Sequence, residues 1–186
     1  MAMTETDHRN LVEKYKGMFN EEIRAALLPG RHNFSILIDN TTKNLNAGVL
    51  VRNFNAFSGK HILFWKRRSW NRTAALGTYQ YEDIRLIENI EMLHEMRECL
   101  GIDRIVAVEN NIEKPIQSLY DYKWNKNEHV LIILGSENGI DEPLLEIADD
   151  FIEIPQKGSV RSLNVGVVGG ILLFDYCSKM EKEQTS

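Results

Sequence analysis

Three near-continuous apolar runs, rich in Ile, Val and Leu, are spaced along the chain. Each of them ends in residues typical of turns or helix starts, and they cover residues 34–39, 104–108 and 130–134. Apolar runs of this length are typical of strands that are buried on both faces of a parallel sheet. We predict three central strands here, two shorter strands at 61–64 and 151–154, and a weaker one near 82–86.

Helical patterns lie between the strands. Residues 90–100 place Leu93, Met96 and Leu100 at helical spacing, and Pro143 stands at the favoured start of a short helix. The predicted helices cover 46–57, 90–100, 142–148 and 162–180, with an amphipathic helix over 11–28 ahead of the sheet. Strands that alternate with helices indicate an α/β fold, with an open, mostly parallel sheet flanked by helices and ligand sites at the carboxyl ends of the strands.

A chain of 186 residues that is 43% hydrophobic has the size of one globular domain. We assign residues 31–180 to that domain, residues 1–30 to an N-terminal helical extension and residues 181–186 to a tail. No apolar run of about 18 residues occurs, so we expect no membrane span. The polar start MAMTETDHRN is unlike a secretory signal or a transit peptide, which favours a cytoplasmic protein.

The chain has two cysteines, Cys99 and Cys177. Both lie among apolar residues of predicted helices, and their spacing is unlike that of metal ligands. We interpret them as reduced thiols in the core, and we expect no metal site.

The net charge of −5 argues mildly against a protein coated in basic surface. It does not exclude nucleic acid, because a local basic patch can supply phosphate contacts. Four cations do crowd one short segment that also carries Trp65 and Trp70; they are Lys66, Arg67, Arg68 and Arg72. Taken alone, this segment is either a solvated loop with two tryptophans anchored in the core or a phosphate-binding surface.

A first cluster of functional candidates follows the first predicted strand. Asn46 is a natural N-cap for the next helix, and Gly48 lets a backbone or ligand come close. Arg52 has apolar neighbours, so we expect a partly buried cation that needs a partner. A surface ion pair is the alternative.

A second cluster, residues 134–140, closes the most apolar strand. Gly135 and Gly139 allow a tight turn with exposed backbone groups, suited to a polar heterocycle, and Glu137 is placed to orient Arg52. A glycine-rich turn is also common in ordinary loops, and this one lacks both the dinucleotide fingerprint and the P-loop lysine. This absence makes a nicotinamide-dependent oxidoreductase the least favoured alternative.

A third cluster, residues 154–164, leads into the last helix. Ser162 is a candidate cap for that helix, and Asn164 can hydrogen-bond in both directions. The helix continues with glycines at 166, 169 and 170, each costing up to about 1 kcal/mol relative to alanine. Such a sequence is reasonable if another backbone packs against this face, in the same subunit or in a partner.

In this order, the three clusters resemble the motifs of the SpoU/TrmH family of RNA methyltransferases, in the SPOUT superfamily, over roughly residues 34–176. The matching residues of the first two motifs are Asn46, Gly48 and Arg52, then Leu134, Gly135 and Glu137. Those of the third motif are Ile154, Pro155, Gly158 and Ser162–Val165. Two positions depart from the family pattern: Asn138 alone separates Glu137 from Gly139, where two residues are usual, and Gly166 replaces a common serine.

The resemblance implies an α/β fold with a deep C-terminal trefoil knot, S-adenosylmethionine bound in the knotted loops, and a homodimer that completes the site. By the same carry-over, Gly135, Ile154 and Leu163 bind the adenosine through their main chains. Ser162, Leu134 and Val108 lie beside them, with Glu109 as an alternative to Val108.

The implied activity is methylation of a ribose 2′-hydroxyl in tRNA or rRNA, without a metal. Arg52 then anchors a phosphate and stabilises the developing alkoxide, Asn46 and Glu137 orient it, and Asn164 shapes the pocket. In that setting Lys66, Arg67, Arg68 and Arg72 bind the RNA backbone. Two alternatives remain open: methylation of an RNA base, and a non-catalytic RNA-binding or assembly factor that has kept the fold.

Overall fold

The computed structural model describes residues 7–39, 45–66, 69–110, 112–136 and 138–184. Within these residues seven strands form one sheet, in the order β3-β2-β1-β6-β4-β7-β5, and every neighbouring pair is parallel. The strands are β1 Phe34–Ile38, β2 Ile62–Trp65, β3 Ile84–Ile87, β4 Arg104–Val108, β5 Gln117–Ser118, β6 Val130–Leu134 and β7 Asp150–Glu153. The predicted α/β class with an open parallel sheet is confirmed; the knot stays a prediction.

Helices cover both faces of the sheet. They are α1 Asn20–Leu27, α2 Asn46–Phe57, α3 Ile90–Leu100, α4 Glu142–Glu146 and α5 Val165–Gln184, with 3-10 turns at Glu13–Tyr15, Leu28–Gly30, Thr73–Ala75 and Thr78–Tyr81. The central strands alternate between the two layers. In β1, Phe34 and Ile36 belong to the core beneath α2 and α5, whereas Leu37 belongs to the core beneath α3 and α4.

The strands at the centre of the sheet lie within a residue or two of their predicted bounds. The two-residue strand β5 was not predicted, because Gln117 and Ser118 carry no apolar pattern and pair only with β7 at the sheet edge. The predicted leading helix over 11–28 is wrong in its first half. Gly17 adopts φ +80°, which interrupts the helical path, and α1 starts at Asn20 after the Phe19 N–H binds the Glu22 carboxylate at 2.7 Å.

The cysteine prediction is half correct. Cys177 is buried, and burial raises the pKa of its thiol to about 11, so it stays protonated at neutral pH. Cys99 is exposed, because it lies on the solvent side of α3 while Leu93 faces the core.

The glycine-rich face of α5 packs closely against α2 in the same chain. A Cβ on Gly166 would lie 2.9 Å from Val49 Cγ1, and one on Gly169 would overlap the Leu50 side chain. The Asn53 side chain donates a hydrogen bond to the Gly166 carbonyl at 2.9 Å. The close packing expected from the glycines is thus intramolecular, and it fixes the position of the N-terminus of α5 above the sheet.

Candidate active site at the strand ends

A pocket of about 380 Å³ opens at the carboxyl ends of β4 and β6, bordered by the segment from β7 to α5. We call it the strand-end pocket. It brings together ten residues singled out from the sequence: Asn46, Val108, Glu109, Leu134, Gly135, Ile154, Ser162, Leu163, Asn164 and Val165. Candidates from three separate clusters therefore line one cavity, as the carboxyl edge of a parallel sheet favours.

Asn164 joins the first and third clusters. Its Oδ1 accepts the Gly166 N–H at 2.9 Å, and its Nδ2 donates to Asn46 Oδ1 at 3.0 Å. Asn164 is thus the cap of α5, and the expectation that Ser162 caps this helix is wrong because α5 begins only at Val165. The N-cap prediction for Asn46 is also wrong, since Asn46 is already the first helical residue after Leu45.

The turn after β6 explains both of its glycines. Ser136 and Gly139 exchange backbone hydrogen bonds at 3.0 and 3.1 Å, and Gly139 adopts φ +89°. A Cβ on Gly135 would lie 2.9 Å from the Gly139 carbonyl group. Gly135 is therefore required by the chain's own turn. Glu137, in the same turn, lies outside the described residues.

Polar groups that sequence reasoning missed complete the pocket wall. Glu153 and Gln156 line the cavity, together with the weaker candidate Glu109. The buried Gln156 Oε1 has no hydrogen-bond partner among the described residues. An unpaired buried acceptor costs free energy, so this atom is suited to a ligand donor. The signal was available, because Gln156 follows the end of a predicted parallel strand by two residues.

Across the pocket mouth, the Asn110 side chain donates to the Arg161 carbonyl at 3.2 Å, which ties the loop after β4 to the segment before α5.

Arg52 does not line the strand-end pocket. Its side chain is exposed on α2 while Leu50, Val51 and Phe54 are buried, so the expected partly buried cation is wrong. The apolar residues next to Arg52 in sequence point to the core, whereas Arg52 lies on a different side of the helix. The prediction treated neighbours in sequence as neighbours in space. Its catalytic role stays a prediction.

The basic segment is described only in part, since Arg67 and Arg68 lie outside the described residues. Lys66 is exposed and forms an ion pair with Asp141 at 2.7 Å, and the buried Trp65 donates its indole N–H to the same carboxylate at 2.8 Å. The exposed Arg72 places its guanidinium over the Trp70 ring.

Within the described residues, no helix has the length and apolarity to cross a membrane, and no group of His, Cys, Asp or Glu side chains has a metal-binding arrangement.

Comparison with known proteins agrees with the geometry. The model of the SpoU rRNA Methylase family matches residues 33–174. The chain belongs to this family. It is 27% identical over 173 residues to the 23S rRNA (guanosine-2′-O-)-methyltransferase RlmB of Photobacterium profundum, covering 90% of this chain and 70% of that protein. It is 25% identical over 169 residues to the tRNA (guanosine(18)-2′-O)-methyltransferase of Aquifex aeolicus, covering 88% and 77%.

Several other relatives are longer. The present chain spans only 52% of the length of an uncharacterized tRNA/rRNA methyltransferase of Mycobacterium leprae. Among solved structures, the A. aeolicus TrmH/SpoU tRNA modifying enzyme has a TM-score of 0.74 at 22% identity, over 89% of this chain and 84% of that one. The AviRb methyltransferase of Streptomyces viridochromogenes, in complex with AdoMet, has a TM-score of 0.69 at 17% identity, over 81% and 59%. These structural likenesses show the fold.

Proposed function

We propose that this protein is an S-adenosylmethionine-dependent methyltransferase that modifies a ribose 2′-hydroxyl in tRNA or rRNA. The observation that carries this proposal is the convergence of the family motifs on one pocket, where the Asn46–Asn164 hydrogen bond joins the first motif to the third. The names of the P. profundum and A. aeolicus relatives, both ribose 2′-O-methyltransferases, support the choice of reaction.

The residues of the strand-end pocket fit S-adenosylmethionine. Its volume lies in the usual range for small-molecule sites. Leu134, Ile154 and Leu163 offer apolar surface to the adenine ring, and the unpaired Gln156 oxygen can accept from an amino group. The carboxylates of Glu109 and Glu153 complement the positive sulfonium and ammonium groups. When bound, this cofactor supplies an electrophilic methyl group, so the protein's task is mainly positioning.

Arg52 is proposed as the catalytic cation. An exposed guanidinium can meet a substrate phosphate in the bidentate geometry that arginine favours. Since arginine stays protonated in proteins, its contribution is electrostatic stabilisation of the developing 2′-alkoxide. Asn46 and Asn164 hold the start of α2, and with it the helix that carries Arg52, against α5. Glu137 keeps its proposed orienting role.

The basic segment is proposed to bind the RNA backbone. Arg72 is exposed and available to a phosphate. Arg67 and Arg68 keep the RNA-binding role that the sequence predicts for them. The ion pair of Lys66 with Asp141 must be exchanged for a phosphate contact if Lys66 takes part.

We also propose that the protein is a homodimer. The glycine face of α5 is occupied by α2, but Val167, Ile171 and Phe174 form an exposed apolar stripe at helical spacing, with Phe174 62% exposed. A contiguous apolar stripe on a helix is typical of an interface, and a second copy of the chain would bury it. Light scattering should give the mass of a dimer at micromolar concentration, and Phe174→Glu should shift it to a monomer. A monomeric mass for the unaltered protein, with activity intact, contradicts the dimer.

The test of the reaction uses tRNA and rRNA that lack the modification, with radiolabelled S-adenosylmethionine. Label should appear on a ribose and make the following phosphodiester resistant to alkali, because alkaline cleavage needs the free 2′-hydroxyl as its nucleophile. An RNA with 2′-deoxyribose at the target should bind without accepting a methyl group. Label on a base would establish the base methyltransferase instead, and cofactor binding without transfer to either RNA would indicate a non-catalytic factor.

A further inference from the structure

A second concavity, of about 710 Å³, lies beside β3, the strand at the edge of the sheet. We call it the edge groove. It is bounded by the end of α1, by the start of β2 and β3, and by the segment 70–82, and it shares no lining residue with the strand-end pocket. None of the three motifs contributes a residue to it, and Arg72 is the one lining residue to which the proposed function gives a role.

Aromatic rings form one wall of the edge groove. The half-buried Trp70 ring stacks on Phe64 with centroids 5.2 Å apart and planes 15° from parallel, and Tyr79 meets Trp70 edge-on at 5.9 Å. The Arg72 guanidinium lies 5.8 Å from the Trp70 centroid and 5.0 Å from that of Tyr79. The contacts hold the rings in place, and the exposed guanidinium presents a planar surface on which a base can stack.

The edge groove is positive in a negatively charged chain. Five cationic side chains line it against two carboxylates, Glu82 and Asp83, a net charge of +3 where the whole chain carries −5. Arg31 is paired with buried Glu82, and Arg85 is paired with Asp83.

Three cations of the groove contact neutral groups instead. Arg24 donates to the Gln80 carbonyl at 2.7 Å, Lys60 donates to Asn33 Oδ1 at 2.6 Å, and Arg72 lies over the two rings. Their charge is available to an anionic partner.

Rings and cations along one groove are the combination with which proteins bind single-stranded nucleic acid, the rings stacking on bases and the cations meeting phosphates. An acidic peptide would match the charge but would leave the aromatic wall without a planar partner. We propose that the edge groove binds an unpaired segment of RNA, with one base stacked at Trp70, Arg72 and Tyr79.

The fold connects this groove to the proposed active site. The segment that carries Trp70 and Arg72 packs against the first turn of α2, where a Cβ on Gly48 would lie 2.8 Å from the Asn71 carbonyl oxygen. Gly48 is two residues from Asn46 of the strand-end pocket. The proposal therefore deepens the proposed function and rests on it: the groove holds RNA that flanks the methylated nucleotide.

The experiment measures binding of fluorescein-labelled dodecauridylate and dodecaadenylate to the full chain. Tyr79→Leu should weaken binding about tenfold, the loss of one base stack, whereas Tyr79→Phe keeps the ring and should stay within about twofold. Arg72→Gln should weaken binding and also flatten its salt dependence, because one phosphate contact is lost. Trp70→Leu removes a ring that packs on Phe64, so the thermal unfolding of this variant is measured as well. If the variant does not fold, the comparison of Tyr79→Leu with Tyr79→Phe still tests the proposal.

Tryptophan fluorescence gives an independent readout, since Trp65 and Trp124 are buried and Trp70 is more exposed. RNA should quench the emission of the unaltered protein, and Trp70→Phe should lose the quenching while retaining the affinity. Heparin, a polyanion without bases, should not quench. Equal RNA affinity in Tyr79→Leu and Tyr79→Phe, or equal quenching by heparin, would overturn the stacking site in favour of general polyanion binding. Preferential binding of polyglutamate would overturn it in favour of an acidic protein partner.

The two proposals fail separately. RNA-dependent quenching without methyl transfer by the unaltered protein would overturn the proposed function and leave the groove. Methyl transfer with RNA binding that does not depend on either ring would overturn the groove alone. Cofactor affinity, measured by calorimetry, should be the same in all groove variants because the two cavities share no residue.

Discussion

The strand-end pocket is bordered by the carboxylates Glu109 and Glu153, whereas the edge groove is bordered by five cations. The pocket is completed by backbone turns and a helix start; the groove is made of long side chains and aromatic rings. The first turn of α2 is close to both cavities, because Asn46 lines the pocket and Gly48 contacts the segment that carries Trp70 and Arg72. The difference follows the charges of the ligands that we propose, a cationic cofactor and a polyanionic RNA.

This difference shows why net charge is a poor guide to partners. A value of −5 for the whole chain averages over an acidic pocket and a groove of opposite sign. Fields act locally, and salt screens them beyond about 10 Å, so each cavity attracts its own ligand and disfavours that of the other.

Arg52 belongs to neither cavity lining, and its removal should have the largest effect. Arg52→Ala should lower methyl transfer at least about a hundredfold, the range seen when a group that stabilises transition-state charge is lost. Cofactor affinity should not change, because the side chain is exposed and outside the pocket. Arg52→Lys keeps the charge but lacks the planar guanidinium group. Its rate of methyl transfer in single-turnover assays should lie between those of the unaltered protein and Arg52→Ala. Full activity in Arg52→Ala would leave this residue as a surface cation.

Gly169→Val should damage the strand-end pocket and spare the edge groove. The new side chain would overlap Leu50 and push α5 away from α2, so the free energy of unfolding should fall by about 1–3 kcal/mol. Urea denaturation measures this, with Gly30→Ala as the control because a Cβ there meets no atom within 4 Å. Unchanged stability of Gly169→Val would mean that the two helices separate more easily than their packing indicates.

Gln156→Met should test whether the polar wall of the pocket acts on the ligand. Cofactor affinity, measured by calorimetry, should fall by up to about tenfold, since a hydrogen bond to a neutral amino group contributes about 0.5–1.5 kcal/mol. The free energy of unfolding should hold or rise slightly, because the substitution removes an unpaired buried oxygen. A loss of cofactor affinity without a loss of stability distinguishes a role in binding from a structural role. Losses of similar size in cofactor affinity and in the free energy of unfolding would contradict the role in binding.

His129 gives the smallest expected effect, a dependence of stability on pH. Burial, with a contribution from the Lys60 ammonium in the edge groove, lowers the pKa of this imidazole below its usual 6.5. The unfolded chain then takes up the proton more readily, so this contribution to stability is present above about pH 6.5 and is lost as the pH falls. Denaturation between pH 7 and 5 should show a shallower decline in His129→Gln. Equal slopes would mean that other groups govern the acid range.

The sequence predicted the parts of the molecule in which one periodic pattern decides the structure. The bounds of α2 and α3, and of the buried strands β4 and β6, agree with the predictions because apolar spacing and burial coincide there. It could not predict the short strand β5, whose Gln117 and Ser118 are ordered only by pairing with β7. Nor could it exclude a continuous leading helix, because Gly17 differs from a helical glycine only in its φ angle.

The candidate site shows the same division. The structure brings Asn46, Leu134 and Asn164, one residue from each motif, together in the strand-end pocket, as the α/β pattern predicted. The residue that caps α5 depends on where the helix begins. The pattern predicted a helix from residue 162 with Ser162 as its cap, whereas α5 begins at Val165 and is capped by Asn164. The edge groove could not be found from spacing, because Arg24, Lys60 and Tyr79 meet only through the tertiary fold.

The hydrogen bond between Asn46 and Asn164 joins residues separated by 118 positions. During translation, a nascent chain that already contains β1 to β6 still lacks the wall that α5 and its cap supply. Contacts of such long range also form late, because closing the intervening chain costs entropy first. Cofactor binding should thus begin only on finished polypeptides, and incomplete chains should be unable to hold the methyl donor beside RNA.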